Sequence, residues 1–103
     1  MKVMVTFAFP TEFGNEVVRS GKIQQIFGLL MEDLKPEAVY LFPEDGLRGG
    51  LMVVDLTDSS QVADVAERFW HGLRATVTLT PVMGPDDLMR ALSGIGEVAA
   101  RYA

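Results

Sequence analysis

The chain of 103 residues has no cysteine and a single histidine, His71. The first absence removes disulfides, thiolate nucleophiles and cysteine metal ligands together. The second rules out a site built from several imidazoles, and no metal is expected. Basic residues are scarce too: nine Lys and Arg stand against fourteen Asp and Glu, a formal net charge of −5. With no Lys/Arg run, the chain lacks the basic stripe of a phosphate-backbone binder and the polybasic segment that an anionic membrane attracts. Neither nucleic acid nor a membrane is therefore an expected partner. No apolar run approaches the length of a bilayer span. The opening MKVMVTFAFP has one Lys and an apolar stretch but no small-residue cleavage pattern, and Pro10-Thr11-Glu12 follows too soon for a signal peptide. A soluble, cytoplasmic protein is the expectation.

Hydrophobic residues make up 49% of the chain, enough for an ordered fold, and the length suits one domain over residues 1–103. A domain this small buries a modest share of its surface, so pairing with a second copy would supplement its core. The organising stretch is Tyr40–Leu56, in which two apolar runs flank Pro43, Asp45, Gly46, Gly49 and Gly50, the chemistry of a β-hairpin. Before it, Lys2–Phe9 reads as a strand with apolar residues on both faces, hence central, and Pro10 ends it. A helical region then runs from Thr11 or Asn15 to about Leu34, with Ile23, Ile26, Phe27, Leu30 and Leu34 on one stripe and a kink or break at Ser20-Gly21. Glu37–Phe42 and Gly50–Leu56 are the hairpin strands.

After the hairpin, Asp58-Ser59-Ser60-Gln61 is a capping box that opens a helix with Val62, Val65, Ala66, Phe69 and Leu73 on one side. Gly72 is placed to end it in the left-handed region. Ala75–Val82 is the fourth strand, with threonines alternating against Ala75, Val77 and Leu79. Pro85, Asp86 and Asp87 suit the first turn of a last helix, and Leu88, Leu92, Ile95, Ala99 and Tyr102 form its seam.

The element order is that of an α+β, ferredoxin-like βαββαβ fold with an extra C-terminal helix. It predicts an antiparallel four-stranded sheet in the order 4-1-3-2, with the helices on one face. The other face is then left open, carrying either Met4 and Ala8 or, in the opposite register, Val3, Val5 and Phe7. A two-fold dimer that packs two such faces together would cover it.

Four short segments carry a family resemblance. They are Met-Lys-x-Met-Val-Thr at Met1–Thr6, Leu-Met-Val-Val-Asp after Gly49 and Gly50, Trp70, and Val77-x-x-x-Pro81-Val82. With them the chain resembles the dimeric α+β barrel superfamily, and within it is similar to a family of short uncharacterised bacterial proteins. The resemblance implies a paired ferredoxin-like subunit. It does not choose a function, because the superfamily spans muconolactone isomerases, cofactor-free monooxygenases, stress-responsive proteins and ligand-binding regulatory domains.

The residues themselves offer a short list for chemistry. His71 could act as a general base, although a histidine in the last turn of a helix is also well placed beside the negative end of its dipole. Tyr40 and Asp55, near opposite ends of the hairpin strands, are the other acid–base candidates. A buried Asp55 would need Arg48 or Arg74 as its partner, and an exposed one would simply mark the strand's end. Thr6, Trp70 and Arg74 are the candidates for ligand contact; for Trp70 packing is the commoner role, and for Arg74 a solvated guanidinium. Gly94-Ile95-Gly96-Glu97-Val98-Ala99 spells a dinucleotide fingerprint but lies inside a helix, not after a strand, so no cofactor is expected. The favoured reading is a homodimer binding a small apolar or aromatic molecule in its core or cleft. A cofactor-independent isomerase or monooxygenase and a noncatalytic assembly protein are the alternatives.

Overall fold

The computed structural model describes residues 1–103. In order the chain forms β1 (Lys2–Phe9), α1 (Thr11–Ser20), α2 (Lys22–Leu34), β2 (Ala38–Glu44), β3 (Leu47–Asp55), α3 (Gln61–Leu73), β4 (Thr76–Pro81) and α4 (Pro85–Tyr102). The fold is α+β, with one antiparallel sheet in the order β2-β3-β1-β4. This is the expected order read from the opposite edge, and β1 and β3 are central.

The register decides which face is which. Val5 pairs with Met52 and Leu79, and Phe7 with Gly50 and Val77, so these residues share one side. There α2 and α3 lay Leu30, Val65, Phe69 and Leu73 against them. The Phe7 ring lies 4.9 Å from that of Phe69 and 6.2 Å from that of Phe27. Phe7, Val5, Met52, Val54, Phe69 and Leu73 are all no more than 2% exposed. Burying side chains of this size supplies about 1.5–3 kcal/mol each, which makes this the main stabilising layer.

The helical region breaks where expected: Gly21 takes φ 80° between α1 and α2, a value that glycine adopts without steric cost. Three local expectations are corrected. The hairpin turn is much tighter than the glycine-rich stretch suggested. Asp45 (φ 52°) and Gly46 (φ 77°) alone form it, as in a two-residue primed turn, and the strands run on through Pro43 and Gly49. Pro43 is tolerated because β2 is an edge strand. Gly49 and Gly50 are strand residues, where a Cβ would collide with the carbonyl oxygens of Phe7 and Tyr40 respectively. Gly72 stays helical, and the left-handed residue closing α3 is Arg74 (φ 52°), whose amide donates to the Phe69 carbonyl. At the other end of α3, Gln61 Oε1 accepts from the amides of Thr57 and Asp58, and Asp58 Oδ2 from that of Ser60, so the expected side-chain network is present. It orders the turn before the helix, whose N-cap Ser60 makes no side-chain cap bond.

α4 departs from the rest. It contains no buried residue, and the molecule extends 58 Å along its longest axis. No helix is long and apolar enough to cross a membrane.

Candidate functional site

The helices do not cover the whole of their face. Beyond α1 and α2, edge strand β2 leaves Leu41 exposed, and an open cleft of about 620 Å³ lies between these helices and the β2–β3 hairpin. Phe9, Ile23 and Phe27 line it from the core side, and Leu41 and Pro43 from the hairpin. Its polar groups are few: Thr11 and Asn15 on α1, and Arg48 on β3. The volume falls within the range of small-molecule sites, and a mostly apolar wall with a few polar groups is their usual composition.

Arg48 pairs with Phe9 in the register, so it points to the helix side. Its guanidinium reaches α1 at Gly14, where a Cβ would stand 2.6 Å from Nη1 and 3.2 Å from the Phe9 ring. Gly14 thus leaves room for the arginine against α1. None of the five ion pairs involves Arg48. Arg48 is exposed at the rim of the cleft, and an arginine free of ion pairs is suited to a planar anion, which it can bind with two parallel hydrogen bonds.

The candidates named from sequence are scattered. His71 sits on α3 with its side chain 84% exposed, and Nε2 lies 2.9 Å from Glu67 Oε2, one turn earlier. Tyr40 pairs with Leu51 on the opposite face of the sheet from α3 and is exposed. Asp55 is exposed as well. Its partner is neither Arg48 nor Arg74 but the N-terminal ammonium, 2.9 Å away. That ammonium holds the Asp55 carboxyl below the usual carboxylate range, chiefly through the hydrogen bond and then through its charge. The structure therefore brings none of His71, Tyr40 and Asp55 together.

Among the ligand candidates, Thr6 lines a shallow depression of about 230 Å³ on the open sheet face, with Thr76, Thr78 and Glu44. Trp70 is half exposed on α3, and Arg74 stacks its guanidinium over the Phe13 ring at 4.7 Å. Neither lines the cleft. Arg48 was considered from sequence as a partner for Asp55 and not as a site residue. Its position opposite Phe9, the last residue of the core strand, was the available signal, but it depends on knowing the register.

No protein-family model matches the chain, and no curated protein matches it.

Proposed function

We propose that this chain is a ferredoxin-like subunit of a homodimer that binds a small aromatic or apolar molecule bearing an anionic group. The cleft under the β2–β3 hairpin is the site. Arg48, free of ion pairs at the rim of an apolar cleft, is the observation that carries this reading. Phe9, Ile23 and Phe27 supply the apolar contact, and Thr11 and Asn15 orient the polar end of the ligand. A binding role fits better than acid–base catalysis, since the cleft is lined by no carboxylate, histidine, lysine or tyrosine.

The homodimer rests on the second sheet face. Ala38, Tyr40, Phe42, Leu51, Val53 and Met4 share it with the threonines of β4, and no helix of the protomer covers it. Two such faces packed about a two-fold axis give the barrel-like core that the sequence resemblance implies.

Thermal-shift screening with benzoate, naphthoate and indole carboxylates tests the binding role. A ligand at a hundredfold excess over its Kd stabilises by about 2.7 kcal/mol, a melting-temperature rise of roughly 10 °C or more in a domain of this size. The rise is expected in the natural protein, in His71→Ala and in Tyr40→Phe, and is lost in Arg48→Gln. If no carboxylate shifts the melt, or if Arg48→Gln responds like the parent, the cleft is not the site.

A further inference from the structure

The last helix has an unpartnered apolar side that is more regular than a surface helix needs. Leu88, Leu92, Ile95, Ala99 and Tyr102 repeat at alternating steps of four and three, and Met89, Ala91 and Val98 widen the stripe. Leu88, Leu92, Ile95, Val98 and Tyr102 are each 45–80% exposed. The charged residues Asp86, Asp87, Arg90, Glu97 and Arg101 all lie off this stripe.

The helix is held away from its own domain. Only Val82, Met83 and Gly84 separate β4 from α4, and both ends of this link are fixed. The Val82 amide donates to the Lys2 carbonyl, and the Gly84 amide donates to Asp87 Oδ2 at 2.9 Å. Gly84, the N-cap of α4, is extended.

The consequence is measurable in area. The protomer exposes 7157 Å², whereas a folded monomer of 11.3 kDa exposes about 5,700 Å². The surplus of about 1,400 Å² exceeds the roughly 800 Å² per partner that a standard stable interface buries. Its radius of gyration of 17.0 Å likewise exceeds the roughly 13 Å of a compact chain this long.

We infer that α4 is an arm exchanged between two copies of this chain, packing its Leu88–Tyr102 stripe on the partner. This rests on the homodimer proposed above and extends that interface. The helix starts beside Lys2, at the charged end of the open sheet face, so arm and face adjoin. A single two-fold axis then covers both on both copies. A membrane is a poorer occupant, because α4 has three acidic residues against two arginines and the chain is net negative. A self-contained pair of α4 helices is also poorer: two heptads are short for a coiled coil, and the stripe is wider than a two-residue seam.

Light scattering on the natural chain is expected to give twice the 11.3 kDa chain mass. The double variant Leu92→Glu/Ile95→Glu is expected to raise the dimer Kd at least tenfold. Leu29→Glu, at a leucine on α2 even more exposed than Leu92, leaves it unchanged. Met89→Cys labelled with a polarity-sensitive dye reads the burial directly, in a chain with no other thiol. Its emission shifts to the blue as concentration rises through the Kd. A dimer indifferent to Leu92→Glu/Ile95→Glu overturns the arm and leaves the sheet-face dimer standing. A monomer at every concentration overturns both. A dye already shifted in dilute solution means that the helix folds onto its own chain, which also overturns the arm.

Discussion

On one face of the sheet, Val5, Phe7 and Met52 are sealed beneath α2 and α3; on the other, their neighbours in sequence, Met4, Thr6 and Leu51, remain partly accessible. Both sets are largely apolar, and both lie on the two central strands. The difference is one of coverage and hardly one of composition. A closed layer stabilises the protomer, whereas an apolar layer left open has value only if something outside the protomer meets it. The two faces should therefore answer mutation differently: the first through unfolding, the second through association.

The largest effect belongs to the closed face. Phe7→Ala removes a ring in contact with Phe27 and Phe69 and leaves a cavity, at a cost of about 3–5 kcal/mol. This is a large share of the roughly 5–15 kcal/mol that holds a typical domain, so the urea midpoint should fall sharply at any protein concentration. Leu51→Asp, on the open face, should lower the midpoint at high concentration and barely change it at high dilution. If Leu51→Asp is as costly as Phe7→Ala when the protein is dilute, the open face is not a solvent-facing surface of the protomer and the contrast collapses.

That contrast was half legible in the sequence. The alternation in β4, the helical stripe through Leu30 and the seam of α4 follow from local periodicity, and the structure keeps them. The open face was left in two registers because β1 is apolar on both sides, and only pairing with β3 and β4 distinguishes Met4 from Val5. Gly49 and Gly50 resembled loop residues because a glycine required by close backbone approach looks the same as one required by a turn. Gly72 was expected to end its helix on the same composition rule, yet α3 runs on through the buried Leu73 and the left-handed cap falls two residues later, at Arg74. The cleft could not be read at all. Its walls come from β1, α1, α2 and the hairpin, far apart in sequence. Asp55 was weighed against side-chain cations, and its partner is a backbone terminus.

A smaller effect separates the two sides of α4. Gly94 and Gly96 both lie in its interior, and a Cβ at either would meet open space within the protomer. Each replacement by alanine should favour the helix by about 0.5–1 kcal/mol. Gly96 follows Leu92 by four residues and precedes Ala99 by three, which puts it beside the stripe, whereas Gly94 lies on the far side. Gly94→Ala should stabilise equally at all concentrations. Gly96→Ala should do so only in dilute solution, because in the proposed dimer its new methyl faces the partner. Amide exchange along α4, followed at two concentrations, makes the comparison. Identical behaviour of the two variants would mean that the stripe has no cover.

The smallest effect lies at the end of the sheet where the open face meets charge. Lys2 pairs in register with Asp55, and its ammonium lies 3.0 Å from Glu37, while Asp55 holds the N-terminal ammonium. Glu37 raises the Lys2 pKa, mainly through the hydrogen bond, so that contribution is present below the ordinary lysine range and disappears only as pH climbs through the raised value. Asp55 behaves in the opposite sense. Its lowered folded-state pKa means that its contribution is present above the unfolded value, about 3.9, and is lost as pH falls through the folded one. Near neutrality the Lys2 ammonium and the Asp55 carboxylate are both charged. Both pairs are exposed, so salt should weaken them. Asp55→Asn should therefore show a slightly lower urea midpoint than the parent at neutral pH, a smaller gap in high salt, and none once acid has protonated the parent carboxyl. A gap that survives in acid would mean that Asp55 holds the N-terminus by shape and hydrogen bonding and not by charge. The open face would then end in a packed rim, not an electrostatic one.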